Sequence, residues 1–227
     1  MVNVLYIHGM GGGSDSRIPS ILRDEFSQRG MPVNLVVRTY DFDPEVASAM
    51  IASWIDELSP ALVVGESLGS LHALRIRNLP LVFVSPALNA PLYFECLAWL
   101  ALIPGITWIF DRIYRPREGE RQALHFTFRT LRKYLPHRRA ALKASASRKD
   151  DSSMFAFFGA RDHYRRSGVV SVRSWEKRFG KCFCIYDGTH FMEEVHVRTA
   201  LADKILNILY INKYNINVFM CNIYVLW

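Results

Sequence analysis

No two of the four cysteines, Cys96, Cys182, Cys184 and Cys221, are spaced C-x-x-C, and none has a histidine at zinc-site spacing. Zinc-site spacing is therefore lacking, and reduced thiols in a cytoplasmic protein are the expectation, with Cys182 and Cys184 as packing residues on one strand face. Long apolar runs are missing too. The uncharged stretch Cys96–Phe110 has 15 residues and is interrupted by Pro104-Gly105, too short and too broken to span a bilayer. No basic run precedes the apolar Met1–Ile7, so these residues read as a first strand rather than a leader. The Gly-rich run Gly9–Gly13 lacks a following G-K-[ST], and Ser14 stands where the third glycine of G-x-G-x-x-G belongs, which disfavours a phosphate cradle.

What is present is ordinary globular composition. Of 227 residues, 50% are hydrophobic and 22% charged, enough to bury a substantial core. The net charge of +7 is unevenly spread. Between Arg112 and Lys149, twelve Arg and Lys face only Glu118 and Glu120, so the remainder is slightly acidic. The chain has a basic segment; it is not a basic protein throughout.

Strand patterns recur at Val2–Ile7, Val33–Tyr40, Ala61–Gly65, Leu81–Ser85, Met154–Gly159 and Cys182–Tyr186. Several are continuous apolar runs, which suits a parallel sheet buried on both faces. Amphipathic stretches at Arg17–Gln28, Pro44–Leu58 and Leu68–Arg77 alternate with them, and a last helix is expected from Met192 to Leu209. Asp43-Pro44 is a helix start, with proline at the first helical position. This alternation predicts an α/β, doubly wound, mainly parallel six-stranded sheet. The core is expected over residues 1–88 and 151–210, with 89–150 as an inserted helical cap, since some sixty residues are too many for a loop. Lys143–Asp151 has the composition of a return linker. The tail 211–227 is atypical: twelve of its residues are Ile, Asn, Lys, Tyr, Phe or Met, residue types that share AT-rich codons. It reads as a read-through or frameshifted extension, with an extra strand or a docking tail as the competing reading.

The chemistry centres on Gly65-Glu66-Ser67-Leu68-Gly69. An apolar strand that turns sharply into a helix would carry Ser67 at its apex, with small residues on either side letting strand and helix approach. A serine hydroxyl needs a base, itself oriented by a carboxylate. In α/β sheets such groups gather at the carboxyl ends of strands. Asp162 lies three residues past the fifth strand and His190 four past the sixth, in the order Ser, Asp, His. His8 and His163 also follow strand ends, but only His190 has Asp-Gly before it and a helix after it. Competing carboxylates are Asp41, Asp43 and Asp187, and the rival role for Asp162 is a surface pair with Arg161 or Arg165. Oxyanion donors are expected from the backbone N–H groups of Leu68 and of Met10 in the Gly9–Gly13 loop.

Together, Ile7-His8-Gly9-Met10-Gly11-Gly12, Gly65-Glu66-Ser67-Leu68-Gly69, Gly159-Ala160-Arg161-Asp162 and Gly188-Thr189-His190 resemble the α/β-hydrolase superfamily, specifically its small bacterial esterase-like members. The resemblance covers residues 2–209 apart from the cap. It implies a Ser67-His190-Asp162 triad, an oxyanion hole of Met10 and Leu68, and strand order 2-1-3-4-5-6. The expected reaction is cleavage of a carboxylic ester or thioester through an acyl-serine, with no metal and no cofactor. Substrate contacts are expected at Gly9, Gly11, Trp99, Trp108 and Phe191, with Leu92, Leu100 and Phe110 either lining an acyl pocket or packing the cap. The expected partner is a small molecule, and the arginines would attract an anionic group on it. The competing reading is a binding module whose basic cap, with Phe126, Phe128 and Tyr134, contacts a membrane surface or nucleic acid; nucleic acid is disfavoured because it has no need of the triad.

Overall fold

The computed structural model describes residues 1–113, 121–146 and 154–214, with side chains as far as residue 210. In chain order these form β1 (Val2–Ile7), α1 (Arg17–Gln28), β2 (Val33–Val37), α2 (Pro44–Leu58), β3 (Leu62–Glu66), α3 (Gly69–Ala73) and β4 (Leu81–Val84). Then follow α4 (Ala90–Leu100), α5 (Ile106–Ile113), α6 (Phe128–Ala146), β5 (Met154–Gly159), α7 (His163–Ser167), α8 (Val172–Phe179) and β6 (Phe183–Tyr186). The last helical stretch is α9 (Glu194–His196), a π-helical segment Val197–Leu201, and α10 (Ala202–Tyr214).

All six strands are parallel, in the order β2-β1-β3-β4-β5-β6 that the family resemblance implies. Alternation along each strand sends side chains to two separate cores. Leu5 and Ile7 of β1, Val63 of β3 and Phe158 of β5 pack with α2, α3, α6 and α8. Val4 and Tyr6, Val64 and Phe157 pack with α1 and the last helices. Both faces are covered, so the strands need no polar side and read as apolar runs.

Several boundaries differ from expectation for local reasons. β2 stops at Val37, and Tyr40 instead folds in to donate its hydroxyl to the His8 carbonyl at 2.6 Å. The helix after β3 is five residues long, because its end tightens into i→i+3 turns from Arg75 to His72 and Ile76 to Ala73. The last helix begins at Glu194, since Met192 has φ 45°, and continues to Tyr214. Lys143–Ala146, expected as linker, belong to α6, and the rest of that linker and residues 215–227 lie outside the described residues.

The stretch expected as a cap divides in two. α6 packs on α2, α3 and α4, and its Leu131, Tyr134, Ala141 and Leu142 are in the same core as the sheet. α4 buries Ala90, Phe94 and Ala98, whereas α5 buries none of its residues. Among the described residues no helix is long and apolar enough to cross a membrane.

Candidate active site

The turn at Ser67 is sharp for a steric reason. Ser67 has φ 47°, a left-handed conformation that costs a non-glycine residue of order 1 kcal/mol or more. It persists because its surroundings leave no alternative. A Cβ at Gly69 would collide with the carbonyl oxygens of Ile7 and His8, and one at Gly65 would lie 2.9 Å from the Ala73 Cβ. Glycine at both positions lets α3 press against β1 and β3. Ser67 N–H donates across to the Val84 carbonyl at 2.9 Å and its carbonyl accepts from Ala87 at 3.1 Å, tying the turn to the end of β4.

Two loops at the same edge of the sheet bring up the partners. Asp162, 3% exposed, caps α7 by accepting the Tyr164 N–H at 2.8 Å on Oδ1. Its Oδ2 faces His190 Nδ1 at 2.8 Å. A carboxylate only accepts, so Nδ1 carries the proton and Nε2 is left as the acceptor. Ser67 Oγ lies 2.9 Å from that Nε2. The rivals for Asp162 are engaged elsewhere: Arg161 pairs with Asp187 at 3.1 Å, and Arg165 donates to the Gly159 carbonyl at 3.0 Å. Asp41 accepts from the Asp43 N–H, and Asp43 caps α2 and pairs with Lys133.

The His190 loop is held from several sides. Tyr186 hydroxyl donates to the Thr189 carbonyl at 2.7 Å, Glu193 accepts the Thr189 N–H at 2.9 Å, and Arg17 donates to the carbonyls of Phe191 and Met192. A Cβ at Gly159 would strike the Gly188 and Thr189 carbonyls, so glycine there lets β5 meet this loop. Phe191, 57% exposed, stands edge-on to the His190 ring at 5.4 Å.

The Gly-rich loop after β1 is anchored by a residue that no local pattern marks. Gln122, 2% exposed, accepts the Gly11 N–H at 3.1 Å, donates its side chain to the Tyr40 carbonyl at 3.2 Å and its own N–H to the Gly12 carbonyl at 2.8 Å. Gly12 N–H returns to the Gly9 carbonyl at 3.1 Å. Among the described residues, the N–H groups of Met10 and Leu68 have no acceptor. A second missed feature is Glu66, whose carboxyl accepts the Tyr6 hydroxyl at 2.9 Å. Burial raises the Glu66 carboxyl, opposed by that hydrogen bond and by the Arg17 charge.

Trp99 and Trp108 stand further out, 58% and 63% exposed. Trp99 meets Phe128 edge-on at 5.4 Å, and Trp108 lies under the Arg112 guanidinium. Among the described residues no cluster of His, Cys, Asp or Glu could hold a metal ion.

No protein-family model matches this sequence. No curated protein matches it either. Solved structures do match. One, from work on the metagenome-derived lipolytic enzymes LipS and LipT, superposes with TM-score 0.58 at 15% identity over 94% of each chain. Est1E from Butyrivibrio proteoclasticus gives TM-score 0.57 at 15% identity, over 92% of this chain and 88% of that one. Mouse alpha/beta hydrolase domain-containing protein 10 gives 0.56 at 14%, over 92% and 89%. At such identities the likeness is one of architecture, and with the parallel order β2-β1-β3-β4-β5-β6 it shows that the chain has the α/β-hydrolase fold.

Proposed function

We propose that the protein is a serine hydrolase that cleaves a carboxylic ester or thioester through an acyl-serine intermediate. The observation that carries this reading is the unbroken relay from Ser67 Oγ through His190 to Asp162, at 2.9 and 2.8 Å, built on a strained turn. The neighbours of similar fold include lipolytic enzymes and esterases, which supports hydrolysis as the class of reaction.

In this mechanism His190 Nε2 takes the Ser67 proton as Oγ attacks the substrate carbonyl. Negative charge develops on the carbonyl oxygen, where the N–H groups of Met10 and Leu68 receive it, with Gln122 fixing the loop that presents Met10. The tetrahedral intermediate collapses as His190 returns the proton to the departing alcohol or thiol. Water then repeats the sequence on the acyl-serine and regenerates the enzyme. Asp162 keeps His190 in the required tautomer and stabilises the imidazolium. Gly9, beside Ser67, and Phe191, edge-on to His190, are the nearest candidates for contact with the substrate.

The test is a fluorophosphonate probe. Wild-type protein is expected to label stoichiometrically, with label lost in Ser67→Ala and in His190→Ala, both remaining folded by circular dichroism. Labelling that survives Ser67→Ala, or its absence from folded wild-type protein, would overturn the assignment. A panel of short- and long-chain esters and thioesters then separates the two substrate classes.

A further inference from the structure

α4 and α5 turn apolar side chains to the outside. Leu102, Ile103 and Ile113 are 55%, 51% and 66% exposed, alongside Trp99 and Trp108. α5 buries no residue, although Ile106, Ile109, Phe110 and Ile113 share one side of its turns. Large exposed apolar side chains gathered on two consecutive helices and the turn between them mark a contact surface. Beside it runs charge of one sign. α6 exposes Arg129, Arg132, Arg139 and Lys143, at spacings that place them on one stripe. Among the described residues Arg129, Arg139 and Lys143 form no ion pair. The two surfaces join. The Arg132 guanidinium lies 5.9 Å from the Trp99 ring centroid while pairing with Glu95, and Arg112 lies 5.6 Å over Trp108.

We propose that this face docks the protein on an anionic lipid surface, with α4 and α5 in the headgroup–acyl boundary and the α6 stripe over the headgroups. The chemistry selects the occupant. Nucleic acid would use the arginines but would leave Leu102, Ile103, Ile109 and Ile113 facing phosphate and water. A second copy would cover the apolar face but bring like charges together. Tryptophan bordered by arginine, with aliphatic side chains beyond, matches the interface of a bilayer. The face also adjoins the site. Phe110 packs on Phe126 at 5.5 Å, and Leu124, two residues away, lies against Gly11. Docking therefore brings lipid beside the elements that pack on the Gly-rich loop, and it stands or falls independently of the hydrolase reading.

The test uses the full chain and sedimentation with vesicles of phosphatidylcholine alone or mixed one to one with phosphatidylglycerol. Binding is expected on the mixed vesicles, weakening as salt rises, with the tryptophan emission shifting to the blue. Leu102→Ser/Ile103→Ser/Ile113→Ser should weaken it about tenfold or more. Arg129→Glu/Arg139→Glu/Lys143→Glu should reduce it to the level seen on phosphatidylcholine alone. Both variants should keep the wild-type circular dichroism spectrum and urea midpoint, and the single change Ile113→Ser repeats the test with minimal perturbation. Absence of wild-type binding, or unchanged binding by the apolar variants, would overturn the proposal. So would concentration-dependent dimerisation that those variants abolish, or salt-sensitive binding of RNA in place of vesicles.

Discussion

Four histidines in this molecule are buried to a similar degree, yet they fall into two groups. His190 has a partner on each ring nitrogen, Asp162 on one and Ser67 on the other. The row running from His8 past Tyr40 to His72 and His137, with successive ring centroids 4.4, 5.0 and 4.6 Å apart, is different. His8 donates Nδ1–H to the Gly9 carbonyl at 2.7 Å, and Arg75 donates to His137 Nδ1 at 3.0 Å, so each keeps one nitrogen without a partner among the described residues. His72 has none on either. Burial drives these imidazoles to the neutral form: His8 is lowered to about 4, His137 to about 3, and His72 well below its ordinary value. The comparison separates burial from hydrogen-bond placement. A ring in a dry interior is inert filler unless its two nitrogens are given a donor on one side and an acceptor on the other.

The comparison breaks first at His190. Its replacement by alanine should cost acylation about 10⁴-fold or more while leaving the fold intact, measured by the rate of probe labelling. Asp162→Asn should cost about 10³–10⁴-fold in kcat, because the amide favours the wrong imidazole tautomer. A wild-type rate in either variant would place the two groups of histidines on one footing.

On the stability side the buried row should dominate. Above pH 6.5 these imidazoles are neutral in both states and their full contribution is present. As pH falls, the unfolded chain binds protons first, so stability declines between about 6.5 and the folded values near 4 and 3. For His8 this amounts to about 3 kcal/mol, visible as a falling urea midpoint. Gln122→Ala should lower kcat roughly tenfold and also lower the urea midpoint, because the Gly11 N–H and the Tyr40 carbonyl both lose their buried partner and the loop loosens. The smallest effect is the sharpest contrast. His72→Leu should stabilise the protein by about 1 kcal/mol and flatten the acid decline, with labelling of Ser67 unchanged.

Much of this architecture is written locally. The run Leu62–Val64 ending at Gly65-Glu66-Ser67-Leu68-Gly69 predicts a strand, a tight turn and a helix, because only glycine tolerates the approach of the Ile7, His8 and Ala73 atoms. Asp162 and His190 are legible for a related reason: side chains just past parallel strands all emerge at one edge. The supporting residues are not legible. Gln122 is 111 residues from Gly11, and Tyr6 is 60 from Glu66, so nothing in either neighbourhood announces the contact. Length is what marks the cap in the sequence, and its composition does not say that α6 joins α2 and α3 while α5 buries none of its residues.

The sequence by itself determined the parallel sheet and the positions from which a serine, a histidine and a carboxylate could meet, since periodicity and strand ends are local properties, whereas the strand order followed only from the resemblance to the α/β-hydrolase superfamily. Only the tertiary structure decided which histidine has both nitrogens engaged, which glutamine anchors the Gly-rich loop and which apolar side chains are left facing outward. Each of these depends on contacts between residues far apart in the chain, and hydrophobic patterning does not encode partners at that range.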